Sequence, residues 1–288
     1  MNSIFECSPR DYHQKLKCNR ANVLDPDSYL SKSVLWELDS SSLWKWRYYT
    51  KPRETTAAMR WGSLIDCLTT TPELEGSDIA LSPFDSFRTK DAQAWKATQE
   101  AEKKIIVTAE DLEEARSAVK MLTETCKASA DIFAKSKSQV IVAGNVLGAK
   151  VKGLIDLAPE GEDFLADLKT VSSFSLEGFA KQTANFGYHM QAGIYLSLWN
   201  AMFPNDQRTR WKFVWQDSAA PYEACVTELA PQDIEAGWAY ASTLIQRILD
   251  ATAANHWPLA FDQETITTRP TWAAMQEESK LADNSNLA

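Results

Sequence analysis

Between residues 139 and 170 this 288-residue chain leaves helical periodicity for a period of two, and that change limits the folds open to it. Gln139 to Val146, Ala149 to Leu157 and Asp163 to Thr170 each read as a strand, joined by turns at Asn145 to Gly148 and Pro159 to Gly161. Connections this short link antiparallel neighbours, so the three strands form a meander. Helical patterns precede and follow it, which makes the chain an α/β domain with its sheet built from the middle of the sequence.

The second and third strands carry a chemical pattern. In Phe164 to Lys169, Asp167 and Lys169 leave one face of the strand, while Phe164, Ala166 and Leu168 leave the other. Asp156 ends the run GLIDL, and an antiparallel partner brings its carboxylate beside Asp167. Two carboxylates and an ammonium at one edge suit a divalent cation bound through oxygen. Such a cation serves phosphodiester hydrolysis: it neutralises the phosphate and lowers the pKa of an attacking water. Asp156 and Asp167 are the candidate ligands, and Lys169 is placed to offset developing negative charge.

Helical stretches flank these strands. Phe186 to Ala201 carries Met190, Ile194, Leu198 and Trp199 as an apolar stripe, with Gln191 and Tyr195 four apart on an adjoining face. Thr56 to Leu68 buries Trp61, Leu64, Ile65 and Leu68, with Met59, Gly62 and Asp66 on the next stripe; taken alone, Asp66 reads as a solvated acid. Thr108 caps one long helix to about Ala134, with Asp111 completing a capping-box pattern. Two further strands, Trp211 to Gln216 and Tyr222 to Leu229, precede a last long helix from Pro231 to about Ala253. The expected organisation is an N-terminal arm over 1–30 and a single domain over 31–275 with its core at about 138–253. HWPLAF, Pro270 and Trp272 form an irregular strap, and 276–288 form a disordered tail.

A net charge of −9 excludes a broad basic surface, so contact with nucleic acid has to use a local groove. One segment stands apart. Lys45, Arg47, Lys51, Arg53 and Arg60 face the single acid Glu54 and interleave with Trp44, Trp46, Tyr48, Tyr49 and Trp61. The stripe reads equally as helix packing and as contact with phosphates and bases. No apolar run reaches the ~18 residues of a membrane span, and the first residues resemble neither a signal nor a transit peptide, so the expected location is cytoplasmic. Five cysteines, an odd number with no C-x-x-C pair, read as buried thiols.

The ordered set G-L-I-D, a turn, A-D-L-K-T, then a helix with Y-H-x-Q-A-x-x-Y resembles the PD-(D/E)XK nuclease superfamily. Within it, the chain is most similar to RecE-like (exonuclease VIII) and RecB-type nuclease domains, over roughly Tyr29 to Trp272. The resemblance implies a restriction-endonuclease-like core, a mixed central sheet flanked by helices, with a helical N-terminal elaboration. It places Asp156, Asp167 and the Leu168 backbone carbonyl on the metal, Mg²⁺ or Mn²⁺, and Lys169 in catalysis. Gln191 and Tyr195 are expected to contact DNA near the cleaved phosphate and to orient the lysine, and His189 to shape the DNA groove. The segment R-W-G-S-L-I-D-C-L is similar to a family helix whose histidine binds metal; here that position is Asp66, a carboxylate that suits a hard cation.

An iron–sulfur cluster is not expected, since only Cys225 follows the core strands. The implied activity is exonucleolytic resection of linear double-stranded DNA to expose single strands for recombination, in a bacterial or phage-infected cell. Its implied partners are DNA ends, a single-strand annealing protein and further copies of the chain in a ring, with no membrane. An endonuclease, a repair-complex nuclease module and a catalytically silent DNA-binding protein remain open alternatives.

Overall fold

The computed structural model describes residue 12 and residues 15–50 and 55–285. In chain order the elements are β1 (Leu30–Ser31), α1 (Lys32–Asp39), α2 (Leu43–Tyr48), α3 (Ala57–Thr70), β2 (Ile79–Leu81), α4 (Lys90–Ala101) and β3 (Ile105–Val107). There follow α5 (Ala109–Lys120), α6 (Lys127–Lys135), β4 (Ser136–Val146), β5 (Ala149–Pro159), β6 (Phe164–Val171), α7 (Leu176–Asn185) and α8 (Tyr188–Met202). The chain closes with β7 (Arg210–Asp217), β8 (Ala224–Glu228), α9 (Pro231–Ala253) and α10 (Thr271–Ser285). No helix among the described residues is long and apolar enough to cross a membrane.

The expected meander is present, and it is the middle of a six-stranded mixed sheet of order β1-β5-β6-β7-β8, with β4 also paired to β5. β4 follows β5 antiparallel from Ser136↔Pro159 to Val146↔Ala149 and so occupies one edge of β5 along its length. The other edge is shared. β1 pairs with it in parallel at Val151 and Lys152, and β6 joins it antiparallel through Leu157↔Ala166. Between them, residues 153–156 have no ladder partner on that edge, and the sheet opens. β7 then lies parallel to β6 from Phe164↔Arg210 to Val171↔Asp217, because α7 and α8 carry the chain back across the sheet.

Two apolar cores enclose this sheet. α8 is buried nearly all round, from Met190 through Trp199, because it lies between the sheet and α9. On the opposite face Phe164, Ala166 and Leu168 pack with Leu64, Ile65 and Leu68 of α3 and Ala115 and Ala118 of α5. The alternation read from β6 therefore holds for these residues. Its other face is also mostly apolar, with Leu165 and Val171 in the α8 core, so Asp167 and Lys169 are polar islands in a buried surface.

Four expectations need correction. The described part of the N-terminal segment is no loose arm: Tyr12, Leu16 and Tyr29 cluster on Ala143, and the buried Lys152 donates to the Tyr12 carbonyl at 3.0 Å. The expected single helix after Thr108, whose capping box with Asp111 is present, is broken by a π-helical turn, Met121–Thr125; there the Cys126 amide bonds back to Met121. Residues 276–285 continue helix α10 instead of forming a disordered tail, since TWAAMQEESKLA is rich in helix formers. The strap packs at Trp257, which stacks on Trp46, and at Pro258, whose carbonyl accepts from the Trp44 amide at 3.0 Å; Phe261, Ile266 and Trp272 are exposed.

Candidate active site

The site lies where the sheet opens between β1 and β6. Antiparallel register carries the pairing Leu157↔Ala166 one step on, setting Asp156 opposite Asp167 as the sequence implied. The ladder ends there, and side chains take over the freed backbone groups. The Leu168 amide donates to Asp156 Oδ2 at 3.0 Å, and the Leu154 amide bonds the Tyr195 hydroxyl. Tyr195 can reach that far because Gly153 has no side chain; a Cβ there would stand 2.6 Å from Tyr195 Cε1.

Asp66 arrives from the other side. A Cβ on Gly62 would stand 3.2 Å from Thr170 Oγ1, so this glycine lets α3 lie close on β6, and Asp66, one turn later, faces the opening. Its carboxylate accepts from Gln139 Nε2 at 3.1 and 3.3 Å and from the Thr70 hydroxyl at 3.1 Å. Asp66, Asp156, Leu168, Lys169, Tyr188, Gln191 and Tyr195 all line one cavity of about 630 Å³.

Asp167 lies beneath this cavity, 1% exposed. Gln191 donates to its Oδ1, while Oδ2 pairs with the Lys169 ammonium. Gln191 thus holds the aspartate, and the lysine is positioned by Asp167 and by the ring of Tyr188, 4.8 Å from its Nζ. Lys32 stands over the same ring at 5.3 Å, so Tyr188 lies between two cations.

Charge in so confined a space shifts proton affinities. Burial, then the carboxylates of Asp167 and Asp66, push Asp156 well above the usual range. Burial also pushes Asp66 up to about 6, against the lowering effects of Thr70 and Lys169. For Lys169, burial lowers the pKa, but Asp167 and Asp156 outweigh it and hold the ammonium charged. A charged lysine cannot accept a proton. It can balance negative charge.

Among the described residues no group of three or more His, Cys, Asp or Glu is placed to hold a metal ion by itself. The donor set nonetheless fits a hard divalent ion. Magnesium takes one or two carboxylates and keeps several waters, so it needs no closed cage. Asp156 and Asp66, mutually repelling carboxylates that both line the cavity, are groups that such an ion would satisfy.

The basic segment expected to meet nucleic acid is divided. Lys51 and Arg53 lie outside the described residues. Arg47 donates to the carbonyls of Arg20 and Ala21 and stacks on Trp257, and Trp46 is 1% exposed, so both belong to the packing of α2. Lys45 and Arg60 are exposed. Arg60 opens onto a second cavity of about 730 Å³ lined also by Lys96, Lys103 and Lys104, which shares Ser63 with the first. His189 is turned away from the site, edge-on to Trp36, and lines a depression with Phe213 and Trp215.

Sequence reasoning assigned no role to Tyr188, Lys32, Thr70 or Gln139. Tyr188 had a signal, since it precedes Gln191 by three and so shares its face of α8. Thr70, four residues after Asp66 on α3, had the same kind of signal. The other two meet the site across long stretches of chain.

A comparison with curated proteins finds no match. Among solved structures, one from Eubacterium rectale, provisionally described as an exonuclease, superposes with a TM-score of 0.60 at 14% identity, covering 94% of this chain and 98% of its own. A second, SSO0001, is 13% identical over 79% of this chain and 87% of its own, with a TM-score of 0.30. The first likeness extends to the fold of almost the whole chain. Residues 42–265, which include every element of the opening in the sheet except β1, match the model of a PDDEXK-like domain of unknown function (DUF3799), and the chain belongs to that family.

Proposed function

We propose that this protein is a metal-dependent deoxyribonuclease that resects linear double-stranded DNA from an end. The observation that carries the reading is the meeting of Asp156, Asp167 and Lys169 at the opening between β1 and β6, with Asp66 from α3 and Gln191 from α8. Asp156, Asp167, the Leu168 carbonyl and Asp66 would hold Mg²⁺ or Mn²⁺, which supplies charge neutralisation at the phosphate and a more acidic attacking water. Lys169, kept as an ammonium, offsets the charge that grows on the phosphate oxygens. Gln191 fixes the Asp167 rotamer, and Tyr195 braces α8 against β5.

Phosphates need cations, and an acidic protein must gather them locally. Arg60, Lys96, Lys103 and Lys104 line the cavity that adjoins the site along α3, and they are the proposed path of the DNA backbone. The exonuclease mode draws support from the provisional description of the Eubacterium rectale protein; a single-strand annealing protein as partner, and a ring of several copies, belong to the same proposal.

Digestion of end-labelled linear duplexes beside a covalently closed circle tests it, with Mg²⁺ or Mn²⁺ and with Lys169→Ala as control. The linear duplex should shorten from an end while the circle persists. Equal rates on both would replace the exonuclease with an endonuclease. No cleavage of either would remove the nuclease reading.

A further inference from the structure

Gln139, which stands behind the cavity-lining Asp66, has an unusual backbone. It lies within β4 between two regular pairs, Ser138↔Leu157 and Val140↔Ile155, so the register sets it across from Asp156. Yet its φ is +53°, in the left-handed region that a glutamine inside a strand rarely adopts. No residue has been inserted, because the pairs on both sides keep the same register, so the conformation does not serve to shift the strand.

What the conformation accompanies is a specific contact. Gln139 Nε2 reaches both oxygens of Asp66, at 3.1 and 3.3 Å, and Thr70 Oγ1 at 3.0 Å, across some seventy residues of chain. Thr70 closes the arrangement from α3 itself, donating to Asp66 Oδ1. Two neutral donors therefore fix a carboxylate near two others, with no counter-charge of their own. Backbone strain persists where surrounding structure imposes it, and it collects at functional sites.

We propose that Gln139 is a positioning residue for the cation site, its left-handed backbone directing the side-chain amide onto Asp66 so that this carboxylate faces Asp156 and Asp167. The inference rests on the nuclease reading of the site. Gln139 does not touch the reacting atoms; it acts through Asp66, as outer partners of metal ligands do.

Two substitutions separate amide from backbone. Gln139→Ala and Gln139→Gly both remove the amide, but only glycine accepts the left-handed conformation without strain. Calcium titration of the full-length protein by calorimetry reads affinity without turnover, and Mg²⁺-dependent cleavage reads the half-saturating concentration separately from the maximal rate. Both variants should weaken Ca²⁺ binding and raise half-saturating Mg²⁺ by about tenfold or more, with the rate at saturating Mg²⁺ little changed. The glycine variant should melt about 2–4 °C above the alanine variant. In an Asp66→Asn background, Gln139→Ala should have no further effect on Ca²⁺ affinity.

Ca²⁺ affinity within about twofold of wild type in both variants, or an unchanged effect in the Asp66→Asn background, would overturn the proposal while leaving the nuclease reading intact. If the wild-type protein neither bound Ca²⁺ nor cleaved DNA, the nuclease reading would fall and the proposal with it.

Discussion

Tyr195 of α8 fills the space that Gly153 of β5 leaves empty, so close that a Cβ on the glycine would stand 2.6 Å from the ring. The glycine of the G-L-I-D run and the tyrosine at the end of the Q-x-x-x-Y pattern are thus one contact. Gly153→Ala must push the ring, and with it α8 and Gln191, away from Asp167. The expected result is a loss of about 1–3 kcal/mol in chemical denaturation, together with a fall in cleavage. Adding Tyr195→Leu should recover part of both, since the two sites share one space. Simple additivity in the double variant would show that the contact does not couple them.

Lys169 and Asp167 form a buried pair, and each loses its partner if the other is replaced. Lys169→Ala leaves Asp167 and Asp156 without their nearest cation. Stability should fall by about 3–5 kcal/mol, and cleavage by about a hundredfold or more. Lys169→Arg should not restore activity, because a planar guanidinium cannot replace a compact ammonium between Asp167 and the Tyr188 ring. A fully active arginine variant would show that charge alone is required.

Tyr188 offers a milder test. Its ring lies against both Lys169 and Lys32, so Tyr188→Phe keeps a face for the cations while Tyr188→Leu removes it. Phenylalanine should retain most of the cleavage rate and leucine should not. Equal loss in both would assign the role to the hydroxyl.

The pH dependence follows from the raised carboxylates. Asp66, pushed up to about 6 by burial, has a folded pKa above its unfolded value. Its protonation therefore stabilises the metal-free protein at pH 4, and that contribution is lost as pH rises through about 6. Asp66→Asn should flatten this part of the melting profile. A divalent ion binds the deprotonated form, so Ca²⁺ affinity should rise between pH 5 and pH 7.5 with release of protons. An affinity independent of pH over that range would exclude Asp66 and Asp156 from the cation site.

The division of the basic segment is testable through salt. Lys103→Glu with Lys104→Glu should lower the salt slope of duplex binding, since phosphate contacts release counterions. Arg47→Ala should instead lower the melting temperature and leave the slope unchanged, because its guanidinium is bound to the Arg20 and Ala21 carbonyls. The reverse pattern would return α2 to the DNA interface.

The site was legible in the sequence where its geometry is local. Asp156 meets Asp167 because a short turn sets the register of β5 on β6, and Gln191 shares a face with Tyr195 because both are on one helix. The sequence left Arg47 open between packing and phosphate contact, because a cationic, aromatic segment looks the same whether its guanidinium meets phosphate or, as here, backbone carbonyls. His189 stands two residues before Gln191 on α8, about two hundred degrees round the helix, and so lies on the side that faces Trp36.

The sequence by itself determined the alternating strands, their turns and the helix faces, because these depend on residues a few positions apart. Only the tertiary structure decided that β7 returns parallel to β6, that the sheet opens at residues 153–156, and that Gln139 adopts a left-handed backbone and bonds Asp66. Those features arise from packing α3 and α8 onto the two faces of the sheet. No local pattern records them, since the free energy that holds them comes from contacts between segments far apart in the chain.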